Sequence, residues 1–88
     1  MTEIDHRIRG FIGENFLFGE DANRLGADES LVQQGIIDST GVLELVTFLE
    51  ADFQVKIADD ELVPQNLDTI HNLVAFIERK LAAATQLA

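Results

Sequence analysis

The chain contains no cysteine. Disulfide staples and thiolate metal ligands are therefore excluded, and any thiol chemistry must come from a bound group. Histidine is scarce too. His6 and His71 are the whole supply, too few for a zinc site, and both read as exposed helix residues. Bases are few: six Lys and Arg face sixteen Asp and Glu, a formal net charge of −10. Such a surface repels nucleic acid and anionic lipid and attracts basic patches on partner proteins. Acidity that serves solubility alone is the plainer alternative. Long apolar runs are missing as well. None approaches the ~20 residues needed to cross a bilayer, and MTEIDHRIRG does not read as a signal peptide. These absences point to a cytoplasmic protein without a membrane span.

Apolar side chains are abundant by contrast, 47% of 88 residues. The length allows one domain, residues 1–88, with an ordered core over about 3–82. A chain this short buries only about 60–65% of its unfolded surface, so the core is thin.

Ile4, Ile8, Phe11, Ile12 and Phe16 follow the period of an amphipathic helix. Thr2 is placed to cap it, and Gly10 and Gly13 weaken it by up to about 1 kcal/mol each relative to Ala. Residues 18–38 have no sustained period and are broken by Gly19, Gly26 and Gly35. A connection this long usually has a job. Leu25, Leu31, Ile36 and Ile37 are expected to pin it to the helices, with a short helical turn at 28–33. A second helix is predicted from Asp38 or Ser39 to about Phe53, with Val42, Leu45, Val46, Leu49 and Phe53 as its stripe and Leu43 and Phe48 off it. Residues 54–58 alternate like a strand but have nothing to pair with, so they read as a loop. Residues 59–63 read as one helical turn stopped near Pro64. Asp68 or Thr69 caps a last helix with Ile70, Leu73, Val74, Ile77 and Leu81 facing the core. Arg79 and Lys80 fall near its C-terminal end, where cations suit the dipole, and the AAATQLA tail is expected to fray. The fold class is all-α: a small four-helix bundle of three main helices and one short one, with a long first loop.

The informative segment is Gly35-Ile36-Ile37-Asp38-Ser39-Thr40-Gly41-Val42-Leu43-Glu44-Leu45. An Asp-Ser pair before an apolar helix has an ordinary explanation, since both are favoured caps worth about 1 kcal/mol. The surroundings say more. Gly-apolar-apolar-Asp-Ser is followed by Leu45-Val46, Leu49-Glu50 and Phe53 in an acidic chain of this size. The stretch from 31 to 81 resembles the acyl carrier protein family, and the first helix fits as well.

The resemblance implies that Ser39 is the attachment point of a 4′-phosphopantetheine arm. The arm is donated from coenzyme A by a phosphopantetheinyl transferase that uses magnesium, and Asp38 helps to position that metal or the enzyme. It implies a thioester-bound acyl or aminoacyl cargo in lipid or secondary metabolism. Thr40, Leu43, Glu44, Thr47 and Glu50 then face partner enzymes. The acidic run Asp59-Asp60-Glu61 matches an acidic short helix and lacks the pattern of a calcium loop. A serine at a helix N-terminus also suits a phosphodiester physically, because free N–H groups and the dipole favour anions there. No histidine lies within local reach to make Ser39 a nucleophile in its own right. No acid/base constellation is legible, so no catalysis by the chain itself is expected.

Three positions depart from the family pattern: Thr40 for the usual Leu, Gly41 for a frequent acid, and Thr47 for a frequent Met. They point away from housekeeping fatty acid synthesis, and the Gly-Ile-Ile-Asp-Ser form resembles that of free-standing carriers, expected to be monomers served by an adenylating acyl or aminoacyl ligase and downstream acyl-transfer enzymes. They also predict a short or polar cargo that stays mostly exposed. The competing reading is an acidic helical adaptor in which Ser39 is only a cap.

Overall fold

A computed structural model describes residues 3–17 and 26–87, with side chains through Ala83. Among the described residues, four α-helices and one 3-10 turn follow in chain order. Thr2 and Leu25, expected to cap and to pin, lie outside the described residues.

Helix α1 spans Glu3–Asn15. Its i, i+4 pair Ile8 and Ile12 is fully buried, while Ile4, Phe11 and Phe16 pack around the core's edge. Arg9 is buried with them, and its Nε donates to Asp5 Oδ1 at 3.0 Å one turn earlier. A charge leaves water at low cost only when paired in this way.

The segment before the second helix is pinned, as its apolar residues require. Leu31 and Ile37 are 1% and 3% exposed. The helical turn expected at 28–33 sits slightly later, where Gln34 N donates to Ser30 O and Gly35 N to Val32 O, both at 3.0 Å. Gly35 ends it with φ +74°, a backbone that L side chains resist.

Helix α2 runs Ser39–Phe53, the predicted extent, and buries Leu45, Val46 and Leu49. It stops at Gln54, whose φ 55° and ψ 48° are left-handed. Val55 then turns inward, and residues 54–58 form no strand.

Pro64 requires a correction. It was expected to stop a helical turn, yet the 3-10 turn already ends at Asp59–Glu61 and Pro64 opens a new helix, α3, Pro64–Leu67. At the first helical position the missing N–H is no loss and the ring presets φ. Thr69 Oγ1 then accepts from Asn72 N at 3.0 Å and caps α4, Ile70–Leu87.

Helix α4 is the hub against which α1, α2 and α3 pack. Ile70, Leu73 and Ile77 are fully buried, with Val74 and Leu81 partly so. Phe76 joins the core at 2% exposure, its ring shielded by the cations of Arg79 and Lys80, each 5.9 Å from the ring centre. Those two cations stand mid-helix rather than near its end, because α4 continues through the tail that was expected to fray.

Candidate functional site

The start of α2 is built by its cap. Asp38 is extended, at φ −106° and ψ −173°, and its Oδ1 accepts from Gly41 N at 2.7 Å. Asp38 O accepts from Val42 N at 2.9 Å and begins the helical ladder. Ser39 is therefore the first helical residue, and its side chain is exposed. Among the described residues no hydrogen bond engages its hydroxyl. The positive end of the helix dipole lies directly beneath it, a setting suited to a phosphate ester.

Gly41 is buried for a steric reason. A Cβ there would stand 2.9 Å from Phe16 Cε1 and 3.3 Å from both Asp38 Oδ1 and Ile37 Cγ2. The Phe16 ring, one residue beyond α1, and the side chains of Ile37 and Asp38 crowd the space a side chain would take. That is why an acid, frequent at this position in the resembling family, has no room here.

Thr40, Leu43, Glu44 and Thr47 form one exposed row along α2. Leu43 is 60% exposed despite its size. Thr47 Oγ1 donates back to Leu43 O at 3.0 Å, so its hydroxyl is spent within the helix. Glu50 stands apart from this row. It is half-buried, and its Oε2 accepts from Ile57 N at 2.9 Å, holding the loop after α2.

The charge of this face is one-sided. No Lys or Arg occurs between Arg24 and Lys56, while six acids do: Asp28, Glu29, Asp38, Glu44, Glu50 and Asp52. The other acidic run is partly neutralised. Glu61 accepts from Ala58 N and from Lys80 Nζ, both at 2.9 Å. The Ala58 N–H first, and then Lys80, hold its carboxyl below the usual carboxylate range. Among the described residues no cluster of His, Cys, Asp and Glu forms a metal site.

Ile37 and Val42, which flank Ser39 in sequence, line an apolar cleft of about 140 Å³. Leu31, Val32 and Ile37 line it from the loop before α2, Val42 from α2 itself, and Val63, Pro64 and Leu67 from α3 and the residue before it. Sequence reasoning missed it, because its walls come from a loop and a four-residue helix. Thr40 and Thr47, whose polarity argued for a polar cargo, do not line it. His6 and His71 stand exposed on α1 and α4, the latter with Nδ1 3.9 Å from Asp28 Oδ1.

Comparison with known proteins shows the class of scaffold to which this acidic helical bundle belongs. The family described as "Phosphopantetheine attachment site" matches residues 17–77. The chain is 30% identical over 83 residues to the probable acyl carrier protein PigG of a Serratia species, covering 94% of each chain. It is 34% identical over 62 residues to the D-alanyl carrier protein of Streptococcus pyogenes, covering 70% of this chain and 77% of that one. The solution structure of a holo acyl carrier protein from Nitrosomonas europaea superposes with a TM-score of 0.78 at 30% identity, covering 93% of this chain and 99% of that one. An acyl carrier protein from Thermotoga maritima, 21% identical with a TM-score of 0.68, shares the fold over 93% of this chain and 95% of its own.

The chain belongs to the acyl carrier protein family. It is a carrier that bears 4′-phosphopantetheine and presents acyl or aminoacyl groups to enzymes that transfer them. No helix among the described residues is long and apolar enough to cross a membrane.

Proposed function

We propose that the arm is attached through Ser39 Oγ and that the chain is a non-catalytic carrier, its chemistry done by the enzymes it visits. The observation that carries this reading is the exposed hydroxyl at the capped N-terminus of α2, free of hydrogen bonds among the described residues. When attached, the arm supplies a thiol that holds the cargo as a thioester. Asp38 has two tasks in this reading: one carboxylate oxygen caps Gly41 N, and its charge helps the transferase and its magnesium to engage the serine. Thr40, Leu43, Glu44 and Thr47 make up the docking face, with Leu43 as its apolar anchor and Glu44 steering toward basic surfaces. Glu50 contributes to the same end by holding the loop that follows α2.

The loading enzyme in this reading is an adenylating acyl or aminoacyl ligase. Two features favour it: the Gly-Ile-Ile-Asp-Ser form of the motif, and a relative whose name is D-alanyl carrier protein. The carrier works as a cytoplasmic monomer. Because the chain has no cysteine, attachment creates its first thiol. Titration with a thiol reagent should rise from zero to one per chain after incubation with coenzyme A, magnesium and a broad phosphopantetheinyl transferase. No thiol gained would leave the adaptor reading, with Ser39 a cap alone.

A further inference from the structure

The loop before α2 is tied to the α3–α4 turn across the cleft mainly by one residue, with a neighbouring backbone bond from His71 N to Ala27 O at 2.8 Å. Asp68 lies at the turn from α3 to α4. Its Oδ2 accepts from Ser30 Oγ at 2.5 Å, its Oδ1 from Val32 N at 3.0 Å, and its carbonyl from Leu31 N at 2.7 Å. Ser30 Oγ in turn accepts from Gln33 N at 3.1 Å, so the hydroxyl is fixed in direction. Leu31 and Val32 are one wall of the cleft, and Asp68 closes the other wall just beyond Leu67. Three bonds from one residue therefore tie the loop side of the cleft to its α3 side.

The walls differ in how firmly the rest of the fold holds them. Leu31 is sunk in the core, but Val32 is 54% exposed and is tied across the cleft through its N–H to Asp68. Pro64 and Leu67 belong to a helix of four residues, which has little stability of its own. Val32 has little packing of its own, and its N–H bond to Asp68 is its tie across the cleft.

The volume sets a scale for what enters. A dry apolar cavity of about 150 Å³ accepts one benzene ring, so about 140 Å³ accommodates about six carbons. We propose that Asp68 is a specificity-determining residue: by latching the Ser30–Val32 segment to the α3–α4 turn, it limits the apolar part of the cargo to about six carbons. This rests on attachment of the arm at Ser39. A longer chain must break the latch, leaving the Asp68 carboxylate beside apolar surface without its partners. A compact acyl group fits with the latch closed.

The test loads the full chain with butyryl-, hexanoyl-, octanoyl- and decanoyl-coenzyme A through a permissive transferase, in the wild type, Ser30→Ala and Asp68→Asn. Ser30→Ala removes one of the three bonds to Asp68, together with the local bond from Gln33 N to Ser30 Oγ. Backbone amide shifts at Val42, Val63 and Leu67 and the melting temperature are followed along the series. In the wild type both should grow from butyryl to hexanoyl and then level off. In both variants they should go on growing through decanoyl. Shifts that climb through decanoyl in the wild type, that level off at the same length in the variants, or that fall elsewhere overturn the proposal while attachment at Ser39 stands. Failure to load Ser39 at all overturns both.

Discussion

Two glycines in helices should respond to the same substitution with opposite signs. Gly10 is exposed on α1, and a Cβ there meets nothing within 4 Å. Gly10→Ala should therefore recover the full helix-propensity difference of about 1 kcal/mol. For a domain of this size that raises Tm by about 4–8 °C. Gly41→Ala makes the same propensity gain but meets Phe16 at 2.9 Å and the capping Asp38 Oδ1 at 3.3 Å. Overpacking costs about 1–3 kcal/mol, and a disturbed cap about 1 more. The balance is a net loss of about 1 kcal/mol or more, and a Tm lower by about 4–8 °C. Urea unfolding followed by circular dichroism reads both. Phe16→Leu supplies the control: combined with Gly41→Ala it should recover part of the loss, because neighbouring substitutions couple by about 0.5–3 kcal/mol. If Gly41→Ala stabilises as much as Gly10→Ala, α1 does not close on the start of α2 as described.

Three further outcomes are expected. Gln54 is held in the left-handed region, so Gln54→Gly should stabilise by about 0.5–1 kcal/mol in urea unfolding, and a loss would mean that its side chain matters more than its backbone. Glu61 has its pKa lowered in the folded chain, so its contribution is present above the ordinary value of 4.5 and fades as pH falls through the folded value. Glu61→Ala should cost about 1 kcal/mol at pH 7, and the gap from wild type should close below pH 4.5; a gap that persists unchanged in acid refutes the Ala58 and Lys80 contacts as its source. Glu44→Lys should slow modification and loading, and added salt should slow the wild type, since exposed charges beyond about 10 Å are largely screened at 0.1 M; rates indifferent to both would leave the acidity to solubility.

The parts legible in the sequence were those written in local patterns. The limits of α2 follow from Asp38 and a long apolar stripe, and the burial of Ile70, Leu73 and Ile77 follows from their period. Pro64 was misread because a proline signals both an end and a beginning, and only the 3-10 turn before it decides which. Phe76 lies off the stripe yet joins the core, with the flanking cations of Arg79 and Lys80 near its ring, which periodicity does not register. The cleft and its latch were invisible for a different reason. Ser30 and Asp68 stand 38 residues apart, and each alone reads as a turn residue or a cap. Gly41 was visible as a departure from the family pattern, but its cause, Phe16, stands 25 residues earlier in the turn after α1.

The central claim is that Ser39 carries the arm, and peptide mapping tests it directly. The chain has two serines, Ser30 and Ser39, so the alternatives are few. After treatment with coenzyme A, magnesium and a broad transferase, mass spectrometry of the digested chain should place one phosphopantetheinyl group on the peptide containing Ser39. The Ser39→Ala chain should remain unmodified while folding with a loss of no more than about 1 kcal/mol. Modification of Ser39→Ala, or of Ser30, would contradict the account.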